Sequence, residues 1–232
     1  MKVRNSQHAY REMLDGMVRR ETRWLDLGCG HQLLPAWMRD SEKIQHELVA
    51  RCALVVGVDV DLRPHMAGIA KVAGNIEQLP FADDSFSLVT ANMVIEHVKD
   101  PGKLLREIRR VLRPNGIFLF HTPNALYFEV AMARALPRRL RSQIAHLLDG
   151  RACQDIFPTF YRLNSGKQVK RLSRANGLNV ETIQFVQTSP QLAALGKVVL
   201  NLELAAIRLV SQARFAEWRS NLIIALSKAS PA

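Results

Sequence analysis

An apolar run that stops at two closely spaced glycines is the feature that most constrains the fold of this chain. The residues from Trp24 to Leu27 are mostly apolar, and Gly28-Cys29-Gly30 follows directly. Residues 33–51, just beyond, suit a helix. A buried strand that enters a tight glycine turn and leaves it as a helix is typical of nucleotide-binding α/β sheets.

The alternation of strands and helices continues along the chain. Further strands are predicted at 53–60, 72–73, 87–94, 116–121, 180–186 and 220–227, and further helices at 62–70, 99–113, 125–150, 165–176 and 191–214, with a short amphipathic helix at 8–19 before the first strand. Nearly continuous apolar runs, as at 53–60, favour a parallel sheet covered on both faces. We predict one doubly wound α/β domain over residues 1–232, with insertions at 124–164 and 188–217.

Charge and cysteine content limit the partners, the metal sites and the cellular compartment expected for this protein. The net charge of +11 favours an anionic partner or a solvated basic surface. No strand carries an aromatic pair flanked by Lys or Arg, which argues against nucleic acid. Three widely spaced cysteines indicate neither disulfides nor a metal site, so no metal is expected. The absence of a signal peptide and of a long apolar window predicts a cytoplasmic protein.

Two acidic residues suggest what the first turn binds. Asp26 lies inside the strand, two residues before Gly28, and suits a ligand with an ammonium group rather than a pyrophosphate. The position three after Gly30 is Leu33, so the dinucleotide G-x-G-x-x-G pattern is missing. Asp59 ends the second strand, where a carboxylate can accept both ribose hydroxyls. The alternative is that both acids merely cap strand ends.

Five segments in order resemble the class I S-adenosylmethionine-dependent methyltransferases, in particular the branch acting on small molecules, sugars and lipids. They are Leu25 to Gly30, Val58-Asp59, Gly74 to Phe86, Asn92 to Val98 and Arg110 to Gly116. The resemblance implies a Rossmann-like seven-stranded sheet of order 3-2-1-4-5-7-6, with strand 7 antiparallel, and S-adenosylmethionine as cofactor. The cofactor-binding residues that it implies are Asp26, Gly28, Cys29, Gly30, Asp59, Val60, Asn75, Ile76 and Asn92.

The chain departs from the family pattern at two of these places. Gln32 stands where the loop often has a third glycine, and Asn75 replaces an aspartate that precedes the adenine contact. The amide oxygen of Asn75 still offers an acceptor to the adenine amino group.

Two histidines are candidates for a catalytic base. His97 and His121 follow or end predicted strands four and five, where ligands of such sheets bind, and histidine titrates near neutral pH. Each could instead only pack or hydrogen-bond the backbone. Tyr161 and Arg162 lie in a loop that resembles one in methyltransferases of bacterial surface polysaccharides. These two residues are expected either to contact the acceptor or to be surface residues.

The C-terminal half combines apolar and basic surfaces. The helix predicted over 191–214 is apolar on two sides, so it needs a second partner besides the sheet. A second subunit, a lipid surface or the 124–150 segment would each serve, so a monomer and a homodimer stay open. The cluster Arg134, Arg138, Arg139 and Arg141 favours peripheral contact with anionic membrane.

The predicted function is methyl transfer from S-adenosylmethionine to a small molecule, sugar or glycolipid. One alternative is a protein that binds the cofactor without turnover, because Gln32 and the unsettled base allow it. Another is an NAD-dependent oxidoreductase, which Asp26 and the missing glycine spacing disfavour. A nucleic-acid methyltransferase is the weakest alternative, since no appended RNA-binding module or Asn-Pro-Pro-Tyr-type tetrapeptide is present.

Overall fold

A computed structural model describes residues 5–30, 32–60, 68–135, 158–190, 192 and 196–230, with the backbone alone at 133–135. It contains a seven-stranded sheet of order β3-β2-β1-β4-β5-β7-β6. The strands are β1 Arg23–Leu27, β2 Leu54–Asp59, β3 Ala70–Ala73, β4 Phe86–Asn92, β5 Leu112–Pro123, β6 Leu178–Val186 and β7 Asn221–Lys228. β7 pairs antiparallel with both β5 and β6, and the other pairs are parallel. The predicted sheet order and strand direction are confirmed.

Helices cover the two faces of this sheet. The helices are α1 Ser6–Met17, α2 Ser41–Ala50, α3 Pro101–Val111, α4 Phe128–Ala135, α5 Gly166–Ala175 and α6 Lys197–Val210, with 3₁₀ turns at Ile95–His97 and Ala213–Trp218. On one face Tyr10 of α1 and Leu48 of α2 share a buried cluster with Trp24. On the other face Leu104 of α3 and Val169 of α5 belong to a second cluster. The central strands are mostly apolar on both sides because both sides are buried, whereas the edge strands β3 and β6 are partly exposed.

The helix predicted over 33–51 is shorter than expected. It begins at Ser41, and residues 33–40 form turns because Pro35 interrupts the pattern and Asp40 adopts a left-handed φ of 57°. The Gln45 side chain of α2 accepts from the amides of Leu33 and Leu34 at 2.7 and 3.1 Å. One helix side chain therefore holds the loop that follows the glycine turn.

Other predicted helices differ at their ends. The helix expected over 191–214 begins at Lys197, after Gly196 with a φ of 102°, and ends at Val210 before a separate 3₁₀ turn. The helix expected over 62–70 conflicts with Ala70, which already belongs to β3, and residues 61–67 lie outside the described residues. Of the helix expected over 125–150, the described residues include only α4, and Arg138, Arg139 and Arg141 lie outside them.

Arg110 of α3 braces the segment that follows β3. Its guanidinium donates to the carbonyls of Leu79 and Phe81 at 2.9 and 2.6 Å and to the carboxylates of Asp83 and Glu107. These charge-assisted bonds raise the pKa of Arg110 above its ordinary value, so the side chain is a permanent cation. Arg110 therefore fixes the loop that leads from Asn75 back to β4.

Candidate active site

The turn after β1 approaches β4 too closely for any side chain. Gly28 has a φ of 65°, and its amide donates to the Val58 carbonyl at 2.7 Å. A Cβ built on Gly28 would lie 2.4 Å from Cγ2 of Val94. Gly30 also has a left-handed φ, of 48°, but a Cβ there would meet nothing within 4 Å. Gly28 is thus required for the close approach to Val94, whereas Gly30 leaves open space beside the backbone.

Asp26 is a buried carboxylate beside this turn. It is 5% exposed, and its Oδ1 accepts a hydrogen bond from Oγ1 of Thr90, which in turn accepts from the Trp24 indole at 2.6 Å. Burial raises the pKa of Asp26 to about 7, opposed in part by the hydrogen bond from Thr90. None of the salt bridges among the described residues involves Asp26, and a buried acid of this kind favours a cationic ligand, because the cation restores the charged form of the carboxylate.

Asp59 ties the glycine turn to β3. Its Oδ2 accepts from the Gly30 amide at 2.9 Å, and its carbonyl accepts from the Gly74 amide at 3.0 Å. Lys71 of β3 donates to the Gly30 carbonyl at 2.9 Å. The carboxylate therefore lies next to the open side of Gly30, at the carboxyl end of β2, where a ribose-binding acid is expected.

Four further cofactor candidates follow β1, β2 and β3, and none of them lines the cavity that contains Asp26. Val60 is 72% exposed and follows Asp59, while Cys29 is buried against Gly57. Asn75 is exposed, and its Oδ1 accepts from the Glu77 amide at 2.9 Å. Ile76 packs partly against the core next to it. The loop from Asn75 therefore has a fixed shape near the β3 end of the sheet.

A cavity of about 630 Å³ extends along the carboxyl edge of the sheet. It is lined by residues at or beyond the ends of β1, β4, β5 and β6 and by the start of β7, among them Asp26, Gly28, Asn92, His97, His121, Ser189 and Asn221. Adjacent strands are about 4.8 Å apart, so the cavity is long enough for two ligands side by side. Its β1 end adjoins the glycine turn, and its β6–β7 end is bounded by α4.

A chain of side-chain amides holds His121 in place. The Gln7 Oε1 accepts from Nδ2 of Asn92 at 2.9 Å, and Oδ1 of Asn92 lies 2.9 Å from Nδ1 of His121. The orientation that satisfies all three groups puts the proton on Nδ1 and a lone pair on Nε2. Burial lowers the pKa of His121 to about 4, partly offset by the Asn221 amide. His121 is therefore a neutral hydrogen-bond acceptor and a weak base.

His97 presents the better geometry for a base. Its Nδ1 lies 3.0 Å from the Pro158 carbonyl, so Nδ1 carries the proton and Nε2 is unprotonated. The side chain is 33% exposed, and Nε2 lies 4.0 Å from Oε1 of the buried Glu96. Nε2 is therefore the atom of His97 that can accept a proton, and the Glu96 carboxylate lies beside it.

The structure does not bring the two loop candidates into the cavity. Arg162 is exposed, donates to the Lys99 carbonyl at 2.7 Å and stacks over Phe160. Tyr161 has a left-handed φ of 53°, and its amide donates to the Glu96 carbonyl at 3.3 Å. Neither side chain lines the cavity. Their backbone supports the turn that carries Glu96 and His97.

Sequence reasoning missed two groups of cavity residues. Gln7 of α1 lines the cavity, and the buried Tyr10 ring of the same helix stacks on His121 with centroids 5.7 Å apart. Tyr127 and Glu129, at the start of α4, form part of the far wall. The amphipathic pattern predicted α1 but not its position, because no sequence period shows which strand end a helix covers.

The comparisons with known proteins agree with this architecture. A family model described as a methyltransferase domain matches residues 4–183. The demethylmenaquinone methyltransferase of Mycolicibacterium paratuberculosis is 40% identical over 107 residues, which are 41% of this chain and 46% of that protein. The chain thus spans less than half the length of the curated relatives it matches.

Solved structures share the fold at low identity. An S-adenosylmethionine-dependent methyltransferase from Mesorhizobium loti superposes with a TM-score of 0.56 at 19% identity, covering 94% of this chain and 96% of that one. A geranyl diphosphate methyltransferase solved with its cofactor gives 0.57 at 19% identity, covering 96% and 85%. With a family model that covers most of its length, this chain belongs to the class I S-adenosylmethionine-dependent methyltransferases, the family that its sequence resembles.

Proposed function

We propose that this chain transfers the methyl group of S-adenosylmethionine to a polar small molecule, a sugar or the sugar headgroup of a glycolipid. The buried carboxylate of Asp26, which lines the cavity together with Gly28, is the observation that supports it. Asp26 suits the cofactor's ammonium group, Asp59 its ribose, and Asn75 with Ile76 its adenine. When bound, S-adenosylmethionine supplies an activated methyl group, so the residues of the chain need only align the acceptor, exclude water and take a proton.

The acceptor is inferred from the far part of the cavity. Its lining beyond β5 includes the hydroxyls or amides of Tyr127, Thr188, Ser189, Ser220 and Asn221. These groups make the far wall polar, which suits a hydroxyl-rich acceptor better than an apolar ring. The relatives named for demethylmenaquinone make that quinone the second candidate acceptor.

The test is transfer of a labelled methyl group. Purified protein is incubated with S-adenosylmethionine carrying a tritiated methyl group, together with sugar, glycolipid or demethylmenaquinone acceptors. We expect label in the sugar-bearing fractions. Cofactor binding without label in any acceptor would favour a binding protein instead, and binding of a nicotinamide cofactor alone would refute the proposal.

His97 is the proposed base for an oxygen or nitrogen acceptor. We expect His97→Ala to lower kcat by about 100-fold or more, because a positioned base contributes at least that factor. The cofactor Kd should stay within about threefold of the wild-type value, since Asp26 and Asp59 are untouched. Steady-state kinetics and calorimetry measure the two quantities.

An exposed histidine provides the control for this prediction. His46 lies on the outer side of α2, away from the cavity, and His46→Ala should leave both constants unchanged. If His97→Ala kept the wild-type kcat at every pH tested, His97 would not be the base, and another group would have to accept the proton.

Contact with anionic membrane is part of the same proposal. No helix in the described part of the chain is long and apolar enough to cross a membrane. α6 nevertheless exposes Val198, Leu202 and Leu209 along one stripe, at 73%, 67% and 49%. Exposed Lys197 and Arg208 lie on the same helix, and each can contribute about 1 kcal/mol near anionic lipid.

Vesicle sedimentation tests this surface. The protein should pellet with anionic vesicles at low salt and stay in the supernatant with neutral ones. The double change Val198→Ser and Leu202→Ser should weaken binding about tenfold or more, because it removes apolar area from the interface. Leu126→Ser, at another exposed apolar residue, is the control, and equal losses in both variants would contradict the assignment to α6.

A further inference from the structure

One face of the sheet carries a concentration of positive charge. α3 and α5 lie on this face, and every charged side chain that is exposed on them is a Lys or an Arg. Of the nearby acids, Glu107 is partly buried and bonded to Arg110, and Asp100 caps the start of α3. No salt bridge among the described residues involves the exposed cations. We call these seven side chains the basic face: Lys103, Arg106, Arg109, Lys167, Lys170, Arg171 and Arg174.

The basic face is continuous across the two helices. Its cations recur at intervals of three or four residues, so they follow one side of each helix. α3 and α5 contact each other, and helices packed side by side lie about 8–10 Å apart. Arg109 of α3 reaches the turn after α5, because a Cβ built on Gly177 would lie 2.8 Å from its Nε. The cations therefore form one broad surface instead of two separate rows.

The opposite face of the sheet has the reverse balance of charge. α1 and α2 lie there and expose four acids and one lysine, namely Glu12, Asp15, Glu42, Glu47 and Lys43. A surface that serves solubility alone mixes both signs of charge. The separation of the two signs between the two faces therefore indicates that α3 and α5 meet an anionic partner.

The chemistry of the basic face fits anionic lipid headgroups best. Neither helix exposes an aromatic or a large apolar side chain. Protein interfaces usually have an apolar and aromatic centre, and single-stranded nucleic acids are held in grooves that carry stacking aromatic residues. A bilayer surface requires neither, because Lys and Arg near anionic headgroups bind through their charge. A broad layer of cations on two adjacent helices also matches a flat layer of phosphates.

Both helices begin at the edge of the sheet that holds the cavity. α3 begins at Pro101, shortly after His97, which lines the cavity. Asn164, just before α5, donates to the Thr122 hydroxyl near the end of β5. A protein that rests on its basic face therefore holds the edge with the cavity close to the bilayer surface.

We propose that the basic face docks this methyltransferase on anionic lipid headgroups, so that a lipid-linked acceptor reaches the cavity from the bilayer. This inference rests on the proposed function, because it names the surface that meets the membrane of a glycolipid acceptor. The basic face supplies charge, whereas the α6 stripe of Val198, Leu202 and Leu209 supplies apolar area. The two contributions differ in their response to salt, since salt screens only the electrostatic one.

The test measures how the whole chain partitions onto vesicles of phosphatidylcholine with and without phosphatidylglycerol. Lys167→Gln combined with Lys170→Gln should lower the partition coefficient on the anionic vesicles about tenfold or more. Lys103→Gln combined with Arg106→Gln should do the same from α3. High salt should bring wild type down to the level of these variants, because screening removes the same attraction.

A matched variant controls for net charge. Arg39→Gln combined with Lys43→Gln removes two exposed charges outside the basic face, at and before α2, and should change the partition coefficient less than about threefold. All three double variants should keep the wild-type Tm and affinity for S-adenosylhomocysteine, because the changed side chains are exposed and do not line the cavity.

The outcomes separate this inference from the proposed function. Equal losses in all three double variants, or wild-type partition in the α3 and α5 variants, would overturn the inference and leave methyl transfer and the α6 contact in place. Wild type that does not bind anionic vesicles at low salt would refute every membrane contact. Loss of RNA binding in the α3 and α5 variants, with unchanged partition onto vesicles, would assign the basic face to nucleic acid. Methyl transfer is refuted separately, if the same preparations do not bind S-adenosylhomocysteine.

Discussion

Asp26→Asn should weaken S-adenosylmethionine binding by about 100-fold or more, because the variant loses a buried, charge-assisted contact with the ammonium group. The change is nearly isosteric, and the amide oxygen can still accept from Thr90. Isothermal calorimetry of wild type and variant at about pH 8 measures the difference. Wild-type affinity should itself fall below neutral pH, because the pKa of Asp26 in the free protein is about 7 and the cofactor requires the ionised acid.

The same substitution should make the free protein more stable in base. The pKa of Asp26 is raised from 3.8 to about 7 in the folded state, so its effect on stability is favourable at low pH and is lost as pH rises through about 7. For wild type this amounts to about 1.4 kcal/mol between pH 6 and pH 8. Asp26→Asn removes that loss, whereas the exposed Asp15→Asn should not. If thermal melts of the Asp26→Asn variant kept the wild-type pH dependence in this range, burial of Asp26 would not be its source.

Alanine at the two glycines of the first turn should separate packing from ligand binding. Gly28→Ala combines a left-handed φ with a Cβ placed 2.4 Å from Val94, so it should destabilise the fold. We expect a loss of about 3 kcal/mol, seen as a fall in Tm of about 6 °C or more. Adding Val94→Ala should restore part of this loss, because it removes the colliding methyl groups.

Gly30→Ala should show the opposite pattern. Its Cβ meets no atom, so the backbone strain of about 1 kcal/mol is the main stability effect. Cofactor affinity should nevertheless fall about tenfold or more, because the methyl group occupies the open side of the turn. If the two substitutions lowered Tm equally and Gly30→Ala kept the wild-type cofactor affinity, the cofactor would not bind at this turn.

The centre of the sheet was predictable because its strands are mostly apolar on both sides. β1, β2 and β4 are central and covered by helices, so each reads as an uninterrupted run ending at a polar residue such as Asp59 or Asn92. The antiparallel β7 was located by its pattern, but its direction came from the family resemblance. The ends of the helices were less predictable. α2 and α6 begin only after Pro35 and Gly196, although the helical pattern in the sequence starts before these residues.

Only the site residues that lie at strand ends were predictable from the sequence. Asp26, Gly28 and Asn92 adjoin strand ends, so strand prediction alone brings them to one edge of the sheet. Glu129 and Gln7 come from helices whose placement depends on packing across the whole fold. The sequence could not show that His121 is a weak base, because this property follows from its burial beneath Tyr10 and not from its residue type.

The packing of α1 on β7 has a consequence for biosynthesis. Gln7, translated early, and Asn221, translated late, line one cavity, and β7 inserts between β5 and β6. A ribosome-bound chain can therefore pair β1 to β5 while the wall of the cavity made by Asn221 is still missing. Competence to bind an acceptor must then follow the release of β7 from the exit tunnel.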